Sequence, residues 1–201
     1  MKTLVVGDLH LKQQFVLPRI DGMLAGDAEI GRVVFLGDAC DDWGANEADE
    51  LNAMEFYAKW VREHRGRGMR IDVLLGNHDF CYVRGKRGPG SIMSIMRNLR
   101  TILEDALQAK VACAVGPYLC SHAGVTGVWA KRFLVDVPAD AVAIAQRLNE
   151  MLTDSSHWGD LDSCPPSRGG LVAAGAFVGR LARYARRCVA RRAANCGSFA
   201  G

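Results

Sequence analysis

The 201-residue sequence has no C-x-x-C pair, no apolar run long enough to span a membrane, and no acidic residue after Asp162. A spanning helix needs roughly 18–20 consecutive apolar residues, so no transmembrane segment is expected. Met1-Lys2-Thr3-Leu4-Val5-Val6-Gly7 runs straight into a strand-like pattern, without the apolar stretch and cleavage site of a secretory leader. Seven cysteines stand scattered at Cys40, Cys81, Cys113, Cys120, Cys164, Cys188 and Cys196. Without paired spacing they read as reduced thiols of a cytoplasmic protein, many of them simply buried, and not as a disulfide framework. The lack of acid is local. Seven arginines follow Ser163, so a mildly acidic body precedes a strongly basic end, and the formal net charge of +3 hides the difference.

What is present is ordinary for a globular chain: 49% hydrophobic and 23% charged residues, with no internal repeat. The length suits one domain with a substantial core, or a domain plus a small appendage. Short apolar runs alternate with helical periodicity, which predicts α/β layering. Strands are expected at 3–6, 32–36, 71–75, 110–115 and 118–121, the last two joined as a hairpin around Gly116-Pro117. Helices are expected at 15–24, 46–64, 91–109, 126–133 and 139–152, with Pro138 at the opening of the last. Arg84–Gly90, rich in Gly and basic side chains, reads as a mobile loop. The Pro/Gly-rich stretch from Ser163 marks a boundary, giving a domain over 1–162 and an atypical Arg/Ala/Gly-rich segment over 163–201.

Four short motifs carry chemistry: Gly7-Asp8-Leu9-His10, Gly37-Asp38-Ala39-Cys40-Asp41, Gly76-Asn77-His78-Asp79 and Ser121-His122-Ala123-Gly124. Each follows an expected strand, and in open α/β sheets ligands bind at the carboxyl ends of strands. Carboxylate, imidazole and amide oxygen together suit Mn, Fe or Zn. Two such ions clamp a phosphoryl group and activate a water.

The series GDxH, GDxxD, GNHD and HAG, in this order over roughly residues 1–125, resembles the calcineurin-like metallophosphoesterase superfamily. It is most similar to the phosphoprotein-phosphatase branch and its small bacterial and phage relatives. The resemblance implies an α/β fold with central mixed β-sheets flanked by helices, and a cytoplasmic hydrolase of phosphomonoesters or phosphodiesters. It implies two divalent cations, manganese foremost, with iron, zinc or nickel as alternatives. Asp8 and His10 would hold the first ion, Asp38 would bridge, and Asn77 and His122 would hold the second. His78 would protonate the leaving oxygen after attack by a dimetal-activated hydroxide, with Asp79 orienting it. Asp41 would act behind the ligands or near the substrate.

Two positions depart from the family pattern. Asp42 stands where the phosphatase branch carries a phosphate-gripping Arg, leaving Arg84, Lys86 or Arg87 to supply that charge. The family's last metal-binding His, usually after Gly, has no counterpart, since only His157 follows His122. The domain is therefore expected to be incomplete at its C-terminal end. That end reads either as a truncated or frameshifted terminus or as a genuine basic helix with Leu181, Tyr184 and Cys188 on one face. The implied partner is a phosphoester substrate: a small molecule, a nucleotide or a phosphoprotein. The alternative is a non-catalytic relative with an impaired second metal site, binding a partner or nucleic acid through its basic tail.

Overall fold

The computed structural model describes residues 1–163; the basic C-terminal segment of the sequence reading lies outside the described residues from Cys164 onward. The chain is α/β and divides into two units, one from Met1 to Ala109 and one from Lys110 onward.

The first unit holds a parallel sheet in the order β1-β2-β3, made of Lys2–Val6, Ile30–Phe35 and Arg70–Val73. Its central strand is fully covered at Val33, Val34 and Phe35, as expected for a parallel sheet packed by helices. Parallel neighbours need a crossover, and the two crossovers are helices α1 (Gln13–Gly26) and α2 (Glu47–Gly66). Asn46 caps α2 by accepting from the Ala48 and Asp49 amides, while Asp49 reaches back to the Asn46 amide. The buried face of α2 carries Met54, Tyr57, Trp60 and Val61, and Phe35 meets Tyr57 and Trp60 edge-on at 5.0 and 5.9 Å. Phe56, next to Tyr57 in the chain but one position off that stripe, is 37% exposed.

In this register Val6 faces Phe35 and Phe35 faces Val73. Asp8, Asp38 and Asn77 thus follow the aligned strand ends by two, three and four residues. The common edge is a direct consequence of the parallel pairing.

Two stretches differ from the sequence reading. Residues 77–84 are a helix, α3 (Asn77–Arg84), which begins inside the third motif and takes Arg84 out of the expected loop. The loop after it is held by local bonds: Gly85 ends the helix at φ 68°, Lys86 N donates to Cys81 O, and Ser91 Oγ joins both backbone groups of Gly88. The helix expected at 91–109 is instead a 3-10 turn at Met93–Ile95, α4 at Met96–Thr101 and a π-turn at Ile102–Ala106. The wider turn keeps Leu99, Leu103 and Leu107, four residues apart, all buried on one side.

In the second unit β4 (Ala112–Val115) and β5 (Tyr118–Ser121) form the expected antiparallel hairpin. Gly116 at φ 57° followed by Pro117 makes the two-residue turn. Short α5 (Gly127–Phe133) is capped by Thr126, whose Oγ1 accepts from Trp129 N. Helix α6 (Ala141–Thr153) is capped by Asp140, so Pro138 stands before the cap and not at the helix opening. Asn149 of α6 binds Val111 N, Ala112 N and Ala112 O, and buried Leu148 and Met151 lie on its apolar side. The described chain closes with α7 (Trp158–Leu161), where Asp160 O accepts from Trp129 Nε1. Cys40, Cys81, Cys113 and Cys120 are not joined in disulfides. Among the described residues no helix is long and apolar enough to cross a membrane.

Candidate metal centre

Two glycines bring the strand-end loops together. A Cβ on Gly76 would lie 2.1 Å from Asp38 Oδ1, and one on Gly37 would lie 2.3 Å from Gly76 N. Gly37 also sits at φ 104°, where a side chain is strained. The second and third motifs therefore cross at a distance that only glycine permits. The first motif hangs from the second by backbone bonds: Leu9 N and His10 N both donate to Asp38 O, at 3.0 and 2.9 Å. His10, Asp38 and Asp41 all have positive φ (39°, 51° and 63°), a left-handed strain that recurs where side chains are aimed for function.

Asp8, His10 and Asp38 each present a ligand atom, and these atoms lie within 4.8 Å of one another. His10 Nδ1 donates to Asp41 O at 2.8 Å, which leaves Nε2 as the nitrogen with the lone pair. That Nε2 stands 3.8 Å from Asp38 Oδ2. Asp38 is buried, and its other oxygen accepts from His78 N at 2.9 Å. A hard or borderline divalent cation matches this donor set of two carboxylates and one neutral imidazole.

His78 lies beside this cluster, its ring 5.1 Å from that of His10. The carboxylate on its Nδ1 is that of Asp41, at 2.9 Å, and not that of Asp79. Asp79 is committed elsewhere. It is the third residue of α3, and its Oδ2 reaches back to Gly76 N at 2.9 Å, while its Oδ1 accepts from Ala39 N and Cys40 N. Asp79 thus joins the second and third motifs and does not touch the His78 ring through these bonds. The pattern G-x-x-D before a helix was the available signal.

Asp41 is the residue whose reach the sequence understated. Its carbonyl orients His10, its Oδ2 holds His78, its Oδ1 accepts from the buried Tyr82 hydroxyl, and its amide donates to Glu50 Oε1 at 3.1 Å. The bond to Asp41 raises the pKa of His78 above the usual histidine value, helped by the charges of Asp38 and Asp79 and opposed by burial. Burial drives Glu50 from 4.5 up to about 7, and pushes the Cys40 thiol well above its usual range. Cys40 is accordingly a neutral, covered neighbour, as the sequence suggested.

The remaining expected residues are placed as follows. Asn77 opens α3, half-buried. Arg84 lies in the last turn of α3 with its guanidinium 5.6 Å from the Phe80 ring centre, and Lys86 and Arg87 are exposed on the loop beyond. A Cβ on Gly90 would be 3.5 Å from Asp41 Cβ, so this loop returns against Asp41. Asp42, read from sequence as a bare repulsive charge, is ion-paired with Lys12, which holds its carboxyl below the usual range. Trp43 is 85% exposed. His122 follows β5 in the second unit, half-buried, where Ser121 Oγ accepts from Gly124 N.

These features define a class first: an α/β protein with a carboxylate–imidazole cation site at the ends of parallel strands. The family model for calcineurin-like phosphoesterases matches residues 1–180. The chain belongs to that family. The family consists broadly of phosphoester hydrolases, some members being inactive, and typically binds two divalent metals, so a metal-dependent phosphoesterase is the class at that level. None of the curated proteins searched matches the chain.

Proposed function

We propose that this chain hydrolyses a phosphomonoester or phosphodiester with His78 as general acid, nearest in kind to the phosphoprotein-phosphatase branch. The observation that carries the reading is the juxtaposition of the Asp8–His10–Asp38 cluster with the Asp41-bound His78 ring. Asp8, His10 and Asp38 would hold one ion, and Asp38 and Asn77 would contribute to a second; for His122 as a ligand the support is its motif alone. Bound there, divalent cations supply charge to the phosphoryl oxygens and lower the pKa of attacking water. The protein's own share is proton management. The Asp41 carboxylate accepts a hydrogen bond from His78 Nδ1–H, so a protonated His78 offers its Nε2–H to the leaving oxygen. The raised pKa keeps a larger part of His78 protonated near neutral pH. Lys86 and Arg87 lie on the segment that returns to Asp41, and Arg84 ends the helix just before it, which favours their cover of substrate charge. Manganese and a cytoplasmic setting belong to this reading, supported by the mixed N/O donors and by the scattered cysteine spacing.

One observation favours a second reading, a partner-binding relative with an impaired second site. The last histidine, His157, faces acids of its own turn, with Nδ1 3.4 Å from Asp160 and Nε2 3.9 Å from Asp154. Metal content per chain and turnover decide between the two. Hydrolysis of aryl phosphates or cyclic nucleotides with Mn²⁺, Ni²⁺, Co²⁺, Mg²⁺ or Zn²⁺, abolished by EDTA, is expected. Silence with every metal and both ester types would leave the partner-binding reading.

A further inference from the structure

We propose that Tyr82 is a positioning residue for the acid pair: its hydroxyl locks the Asp41 carboxylate against His78 and ties the basic loop after α3 to that same carboxylate. The proposal rests on the reading of His78 as general acid.

The ring of Tyr82 is fully buried in the first unit, where a phenylalanine would fill the same apolar space. Its hydroxyl has two partners of fixed direction. Ile92 N can only donate, at 2.9 Å, so the phenolic oxygen accepts there and its own proton goes to Asp41 Oδ1. Asp41 Oδ2 is then left to the imidazole. The chain of bonds runs in one sense from the Ile92 amide through Tyr82 to Asp41 and meets the His78 proton at the other oxygen. A carboxylate bound at one oxygen can turn about its Cβ–Cγ bond; bound at both, it cannot. The same bond brings Ile92 back to α3 and so closes the segment from Gly85 to Ser91, which carries exposed Lys86 and Arg87. Gly90, at φ 82°, packs along the Asp41 side chain within this closure. Loop closure and aim of the acid therefore share one hydroxyl.

The test is Tyr82→Phe, with retained melting behaviour as the check on folding. Amide exchange at Ile92 and along the loop, read in EDTA, is expected to quicken at least tenfold. With metal present, kcat is compared across phosphoesters of graded leaving-group basicity, from dinitrophenyl to alkyl. The loss is expected to be slight for dinitrophenyl phosphate and at least tenfold larger for alkyl esters, because only the latter need the proton. An equal loss for every ester would mark a merely structural role, and unchanged Ile92 exchange would remove the loop tie; either overturns the proposal. Wild-type protein inert toward all esters would overturn the reading of His78 and the acid half of this proposal. Tyr82→Phe matching an active wild type in both readouts would overturn the role of Tyr82 alone.

Discussion

At the scale of residues, one aspartate does the work of several. Asp41 meets the His10 imidazole with its carbonyl and the His78 imidazole with its carboxylate. This sharing puts two similar rings, 5.1 Å apart, in different electrostatic settings, which is what the proposed division of tasks needs. His10 donates its Nδ1–H to a neutral carbonyl, which leaves the Nε2 lone pair available, whereas His78 donates its Nδ1–H to a carboxylate and is easier to protonate. His78→Asn should lower kcat by about 10²- to 10⁴-fold for alkyl phosphates, the usual range for a general acid. It should lower it much less for dinitrophenyl phosphate, whose leaving group needs no proton. Steady-state kinetics on the two esters, with metal content unchanged, check this.

At the scale of elements, the loops depend on what α2 and α3 place beneath them. Helix α2 carries Glu50, wholly buried, whose Oε1 accepts from Asp41 N. Its pKa of about 7 against an ordinary 4.5 means that folding takes up a proton at this side chain. For an acid whose folded value is raised, stability is fully present below about 4.5 and falls as pH rises to about 7. His78 acts in the same sense: its raised value contributes stability at acidic pH that is lost as pH climbs through the folded value. The metal-free chain should therefore melt lower at pH 8 than at pH 6. Glu50→Gln keeps an acceptor for the Asp41 amide and removes the charge. It should raise stability at pH 8 by up to ~3 kcal/mol and change little at pH 5. Thermal melts in EDTA at the two pH values read the difference. Helix α3 contributes differently: its third residue, Asp79, collects amides from Gly76, Ala39 and Cys40, and so sets the crossing of the two loops.

At the scale of the whole molecule, a cation site built from several loops links metal binding to folding. Asp8, His10 and Asp38 gather negative charge that the bare chain must hold together. A cation that binds the folded chain at a hundred times its dissociation constant adds about 2.7 kcal/mol. For a chain of this length that corresponds to a rise in Tm of roughly 5–10 °C. Adding Mn²⁺ to EDTA-treated protein should produce such a rise, and Asp8→Asn should diminish it. Calorimetry or a dye melt suffices. An unchanged melting point with saturating Mn²⁺, Zn²⁺ and Ni²⁺ would contradict the site.

Much of this was legible from residues alone because it is short-range. An apolar run followed by Gly-Asp or Gly-Asn announces a strand and a polar residue just past its end, so the positions of Asp8, Asp38 and Asn77 at one sheet edge were readable in the sequence. What reading in one dimension missed lies between residues 37 to 41 positions apart: Asp41 with His78, Tyr82 with Asp41, and Asp79 with the Ala39 and Cys40 amides. Asp79 was the natural partner for its neighbour His78 by adjacency, yet successive helical residues point about 100° apart, and the cap took its carboxylate. The amino-acid order by itself determined the family and the α/β class, and it set which residue types stand at the strand ends. Which carboxylate meets which imidazole was decided only by the tertiary structure, because hydrogen bonds are selected by ångström-scale direction, and parallel strand register, not chain proximity, sets those directions.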